Sequence, residues 1–124
     1  MPSYLLDSDV VIEYFKASTE TVALVEGLGP KSKIAVSVLT VIEVKSGAMP
    51  NVEQKIERFF RFVKTVNVNL DIANLASHYM KNWKKKGKTL YLVDASIAAT
   101  CVLHDLILVT YNKKDYPIKE LEMI

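Results

Sequence analysis

The feature that most constrains this chain is an alternation. Short apolar runs of strand length recur between longer segments whose apolar residues fall at helical spacing. Leu5–Leu6, Ile34–Val36 and Leu106–Thr110 are such runs. Antiparallel neighbours need only a tight turn, whereas parallel ones need a crossover of helical length. Strands separated by helices therefore predict an α/β fold with a parallel sheet and right-handed crossovers. In such sheets a functional crevice lies beyond the carboxyl ends of the strands.

The local signals divide the chain as follows. Val10–Phe15 is a short helix, and Ser18 caps a second one reaching about Leu28. Ser37 caps Val38–Ser46, which Gly47 ends, and Asn51 caps Val52–Val63. Val66–Leu70 alternates and is expected as a strand. Asp71 then caps a helix from Ile72 to about Lys86, which Gly87 ends. Asp94 opens the alanine-rich helix Ala95–His104, and Ile118–Ile124 is a last short strand. No repeat or linker interrupts the pattern, so residues 1–124 are expected as one domain.

Composition closes off several classes. No apolar stretch reaches membrane-spanning length, and no basic leader precedes the first apolar run. A single cysteine, Cys101, allows no intrachain disulfide, which fits a reducing cytoplasm. With 16 Lys and Arg against 14 Asp and Glu, the net charge of +2 excludes a strongly basic arm but permits a local patch.

The positions of the acids carry the functional argument. Asp7 and Asp9 follow the first strand directly, with only Ser8 between them. Glu43 lies in the helix after the second strand, and Asp94 opens the alanine-rich helix. Asp115 follows the last long strand by five residues. Each has an ordinary reading. Asp7, Asp9 and Asp94 suit helix caps, Asp115 suits a turn, and Glu43 could face solvent. Capping accounts for one acid per junction, however, and not for the Asp7/Asp9 pair or Glu43. If the first and last long strands are neighbours, all these acids converge at one sheet edge. Carboxylates grouped without arginines repel one another unless a divalent cation joins them, and oxygen ligands select Mg²⁺ or Mn²⁺.

Four segments in this order resemble the PIN-domain ribonucleases, and among them the VapC-like toxins of toxin–antitoxin pairs. They are Leu5-Leu6-Asp7-Ser8-Asp9-Val10, Ser37-Val38-Leu39-Thr40-Val41-Ile42-Glu43, Val93-Asp94-Ala95-Ser96-Ile97-Ala98-Ala99 and Thr110-Tyr111-Asn112-Lys113-Lys114-Asp115-Tyr116. The resemblance covers essentially the whole chain. Two positions depart from the usual pattern: Asp9, where many members carry asparagine, and Tyr111, where many carry arginine.

The resemblance implies an α/β/α sandwich around a central, mainly parallel sheet of four or five strands. It implies a Mg²⁺- or Mn²⁺-dependent endoribonuclease that hydrolyses RNA phosphodiester bonds with a metal-activated water. Asp7, Glu43, Asp94 and Asp115 would hold the metal. Thr110 and Asn112 would orient the loop or a water, and Asp9 would be either a ligand or a loop-ordering cap. It further implies a homodimer and a cognate antitoxin, in the cytoplasm and with no membrane association.

The basic run Lys84-Lys85-Lys86-Gly87-Lys88 is either a solvated helix end or an RNA-backbone contact, and Lys113 and Lys114 lie nearer the acids. Most aromatic residues fall at helical spacing and are expected in the core. His78 reads as structural, His104 as a helix C-terminal residue and Cys101 as a buried apolar one. An aspartate-nucleophile phosphatase also fits Asp7-Ser8-Asp9 but needs a larger core. A signalling receiver domain needs an aspartate after its third strand, and none lies between Asp9 and Asp71. A PIN module that binds RNA or protein without cutting is opposed by the complete acid set.

Overall fold

The structure is a computed structural model and describes residues 2–48 and 50–124. Four strands form one sheet in the order β3-β2-β1-β4: β1 (Tyr4–Leu6), β2 (Ile34–Ser37), β3 (Lys64–Val66) and β4 (Ile107–Val109). Every pairing is parallel. The register sets Tyr4 beside both Ile34 and Ile107, so β1 is central and the first and last strands are neighbours. The crossovers run through α1 (Ser8–Phe15), α2 (Thr19–Gly27), α3 (Val38–Ser46), α4 (Glu53–Phe62), α5 (Leu70–Lys85) and α6 (Leu92–His104).

The two-residue period of the strands divides the core into two layers. Leu5, Ala35 and Leu108 face α5 and α6, where they meet Ile72, Ala76, Ile97 and Ala98. Leu6, Val36 and Val109 face the other way and pack with Val10, Val44, Ile56 and Phe59 from α1, α3 and α4. This is the expected α/β/α sandwich. The small residues Ala95, Ala98, Ala99 and Cys101 let α6 lie close against the sheet and α5, and all four are buried. Opposite them, Tyr14, Phe15, Phe59 and Phe60 fill the second layer with ring centroids 5.2 to 6.4 Å apart.

Several element boundaries differ from expectation. Asn51 does not cap a helix over Val52–Val63. It lies inside a 3₁₀ turn, Pro50–Val52, and α4 starts after Val52 with no side-chain cap. Proline can only begin such a turn, and the turn carries Asn51 past the capping position. The third strand is Lys64–Val66 rather than Val66–Leu70. The alternation there does not record burial, because Val68 and Leu70 are exposed. Asn69 instead caps α5, its side chain accepting from the Ile72 N–H at 2.9 Å, and Asp71 falls in the first turn. Likewise α6 begins at Leu92, so Asp94 sits in its first turn rather than at its cap. Ile118–Ile124 contributes no strand. A single parallel bridge joins Leu108 to Met123, and the amides of Leu108, Thr110 and Ile124 bond along that edge. No helix among the described residues is long and apolar enough to cross a membrane.

Candidate active site

The order β3-β2-β1-β4 places the topological switch between β1 and β4, and the acids gather at the carboxyl ends of those strands. Asp7 is the residue immediately after β1 and the N-cap of α1. Its backbone N–H donates to the Val109 carbonyl at 3.0 Å, which ties it to β4. Its carboxylate is buried and accepts three bonds. Ser8 N–H donates to Oδ1 at 2.8 Å, and the hydroxyls of Thr110 and Tyr116 each donate to Oδ2 at 2.8 Å.

Tyr116, the last residue of the fourth family segment and one with no role assigned from sequence, belongs to the site. It is buried, and its hydroxyl lies between Asp7 Oδ2 and Asp94 Oδ1, the latter at 3.3 Å. A phenol carries one proton, and the shorter bond to Asp7 takes the larger share of it. Burial and the adjacent carboxylates push its own ionisation far up, so it stays a neutral donor. The one signal in the sequence is a tyrosine directly after Asp115 at the end of the fourth family segment, and a buried tyrosine hydroxyl needs a partner.

Ser8 and Thr40 are likewise part of the arrangement. The Ser8 hydroxyl donates to Glu43 Oε1 at 2.5 Å and lies 3.0 Å from Thr40 Oγ1. Thr40 and Glu43 stand three residues apart on α3, hence on one helix face, and that face turns towards β1. The serine between the two acids of the opening stretch thus reaches the second segment and aims its glutamate.

Asp9 has a different task. Its Oδ1 accepts from Val10 N–H at 2.7 Å. Its Oδ2 accepts from the Tyr111 amide at 3.1 Å and the Asn112 side-chain amide at 2.8 Å. With both oxygens engaged, Asp9 orders the loop that follows β4. Burial and nearby Asp7 raise its carboxyl, and these three bonds work against that rise. Thr110 Oγ1 also accepts from Asn112 N–H at 3.0 Å, and the Tyr111 hydroxyl lies 2.6 Å from Thr21 Oγ1 on α2.

The four remaining acids feel one another. Burial pushes the Asp94 carboxyl up to about 6, helped by Asp7, Asp115 and Glu43, while the bond from Tyr116 works the other way. Asp115 closes the 3₁₀ turn Lys113–Asp115 and lines one cleft together with Asp94. The ion pairs among the described residues are Glu13–Lys16 and Glu57–Lys45, neither of which involves these acids. No three of the described His, Cys, Asp and Glu side chains close on one point as they stand. The donor chemistry nonetheless suits a hard divalent cation: oxygen donors only, mutually repelling, with no lysine or arginine paired to them. Lys113 and Lys114 are exposed at the rim, and Lys114 lines the same cleft. Lys84 and Lys85 are exposed in the last turn of α5 and do not line it.

Known proteins share this arrangement of the chain. The family model described as PIN domain matches residues 4–120. Ribonuclease VapC19 of Mycobacterium tuberculosis is 26% identical over 115 residues, covering 92% of both chains. Ribonuclease VapC1 of Haemophilus influenzae is 29% identical over 120 residues, covering 91% of this chain and 89% of that one. A toxin–antitoxin complex from Klebsiella pneumoniae contains a chain that superposes with a TM-score of 0.80 at 30% identity, over 97% of this chain and 99% of that one. With nearly its whole length matched, and with the strand order and acid placement just described, this chain belongs to the PIN-domain family.

Proposed function

We propose that this protein is a metal-dependent endoribonuclease and the toxin of a toxin–antitoxin pair. The observation that carries the reading is Asp94, a carboxyl pushed up by burial and by three other acids with no cation paired to the group. The names of the relatives, ribonucleases matched over about nine-tenths of each chain, support the substrate class. Asp7, Glu43, Asp94 and Asp115 would hold Mg²⁺ or Mn²⁺. Such an ion, when bound, neutralises a phosphate and acidifies a water.

The chain's own residues set the stage for that chemistry. Thr110, Tyr116 and Ser8 fix the Asp7 carboxylate, and the Ser8 hydroxyl fixes Glu43. Asp9 and Asn112 lock the loop that carries Asp115. No covalent nucleophile is needed. Among the described residues the one thiol, Cys101, is buried and pushed up to about 12, and both histidines lie on exposed helix surface. Attack on the phosphodiester falls to water in this reading.

Residues 1–124 make up one PIN domain in this reading, acting in the cytoplasm as a homodimer and restrained by an antitoxin. The similarity to a chain of a toxin–antitoxin complex supports the partner. The test is cleavage of single-stranded RNA by the purified chain with Mn²⁺, with chelator and as the Asp7→Asn variant. Cleavage that survives chelation, or that persists in Asp7→Asn, overturns the metal mechanism. Inducible expression in a bacterium tests the toxin role: growth arrest by the native chain and not by Asp7→Ala is expected, and equal growth overturns it.

A further inference from the structure

Beside the acids runs a second feature whose aromatic residues and Lys88 lie outside the four family segments. A cleft of about 210 Å³ leads away from Asp94 and Asp115 and is lined by Trp83, Lys88, Tyr91 and Lys114. It is smaller than the roughly 300–1,000 Å³ of a small-molecule pocket. Its aromatic and basic groups come from separate elements. Trp83 lies in the last turn of α5, Lys88 in the connection after it, Tyr91 at the start of α6 and Lys114 in the turn that carries Asp115.

Tyr91 breaks a local rule. It occupies the N-cap position of α6, where serine, threonine, asparagine or aspartate normally satisfy the free amides, and it makes no capping bond. Its ring is 70% exposed. An aromatic residue in place of a cap, facing solvent beside a reactive pocket, is a local cost that no packing in the fold offsets. The lysines have a matching arrangement. Lys86 and Lys88 stand 4.9 and 5.1 Å from the Trp83 ring centroid, and neither Lys88 nor Lys114 is ion-paired among the described residues. Positive charge, an exposed ring and an adjoining acid pocket together suit one occupant. A single nucleotide of a flexible strand offers a face to stack and a phosphate to neutralise.

We propose that the Trp83–Tyr91 cleft is a subsite for the nucleotide flanking the scissile phosphate of single-stranded RNA, its base stacked on Tyr91 and its phosphates held by Lys88 and Lys114. The proposal rests on the ribonuclease reading above and names where its substrate lies. Stacking tolerates any base, so this subsite grips the strand without selecting its sequence. It also excludes a rigid duplex, whose bases are not free to leave the stack.

Trp83 is the only tryptophan in the chain, which makes its emission a direct report on the cleft. The full chain in chelator is titrated with a dye-labelled single-stranded oligoribonucleotide of mixed sequence, following dye anisotropy and tryptophan emission together. Both should change with one midpoint. Tyr91→Ala should weaken binding about fivefold or more, the lower end of what one stacked base contributes. Tyr91→Phe should retain affinity. The pair Lys88→Ala and Lys114→Ala should lower the salt slope by about 1.4, two single-strand phosphate contacts. All three positions tolerate substitution if unfolding temperatures stay level, which is measured alongside. RNA binding at native affinity in Tyr91→Ala with tryptophan emission unmoved overturns the subsite and leaves the cleft to a protein partner. A chain that neither binds RNA nor cuts it with Mn²⁺ overturns the nuclease reading and the subsite with it.

Discussion

The two ends of the sheet both carry acids, and they behave in opposite ways. Where β1 and β4 begin, a cleft of about 220 Å³ is lined by Ser3, Asp105, Glu120 and Glu122. Where they end, Asp7, Glu43, Asp94 and Asp115 gather. At the first end one carboxylate has found a donor. Glu120 accepts a bond from the Tyr79 hydroxyl at 2.5 Å, which holds its carboxyl below the ordinary range. Asp105 caps α6 in a left-handed conformation and serves the backbone. At the other end burial and neighbouring acids drive Asp94 upward, and no cation among the described residues answers it. Number and proximity of carboxylates therefore do not identify a reactive site. The state of their compensation does.

The sharpest way to break this comparison is substitution at each end. Asp7→Asn or Asp94→Asn should lower RNA cleavage more than about a hundredfold, beyond the range for losing a group behind a ligand. Circular dichroism should stay unchanged. Glu120→Gln should leave cleavage within about twofold, because no step involves it. A fall in the Glu120→Gln variant comparable to that in Asp7→Asn would erase the distinction.

Cation binding provides the next contrast. Mn²⁺ at a hundredfold excess over its dissociation constant should stabilise the native chain by about 2.7 kcal/mol. For a domain of this size that raises the unfolding temperature by several degrees. Glu120→Gln should respond as the native chain does, and Asp94→Asn should respond little. Calorimetric melts with Mn²⁺ and with chelator read all three.

Tyr116→Phe sharpens the role of the buried hydroxyl. It removes one of three donors to Asp7, so stability should fall by about 1 kcal/mol and cleavage by about tenfold. Denaturant melts and initial rates measure the two effects. A variant as stable and active as the native chain would reduce Tyr116 to packing.

The smallest effect concerns pH. Unfolded Asp94 titrates near 3.8 and folded Asp94 near 6, so the folded chain holds the extra proton between those values. In chelator this group's contribution to stability is therefore greatest at low pH and is lost as pH rises through about 6. Asp94 is only partly buried, so only part of the full linkage survives solvent screening. Asp94→Asn should melt about 2 °C higher than the native chain at pH 7.5, and no higher near pH 4. The same gap at both values would show that Asp94 is uncoupled from its neighbours.

Much of this was legible in the residues, for reasons that differ by element. The parallel sheet followed from apolar runs and helix-length connections, and Ser37 sat where a cap was expected. Asp7 and Asp9 could be placed because they follow the first strand directly, and Asp94 because it falls at the start of a helix. What stayed hidden was side-chain direction. Glu43 faces the pocket because Ser8 holds it there, a contact spanning 35 residues that spacing along α3 does not express. Tyr116 reaches Asp7 across 109 residues. The misplaced third strand has the opposite cause: Val66-Asn67-Val68-Asn69-Leu70 has a strand's period, but Asn69 forms a better cap than a strand residue. For Asp9 the sequence allows a ligand or a loop-ordering cap, and the bonds from Tyr111 and Asn112, 102 and 103 residues away, tie it to the loop after β4.

The central position of β1 also bears on the order in which the protein is made. Asp7 precedes Thr110 by 103 residues, yet its carboxylate is completed by Thr110 and Tyr116, and its strand is bordered by β4. Helices and the β1–β2 pair can form while the chain still grows, since domains begin to organise from the N-terminus during synthesis. The acid pocket cannot, until the segment from Ile107 to Tyr116 has emerged from the ribosome. The nascent chain thus lacks a finished acid pocket by topology, whichever of its carboxylates have already been made.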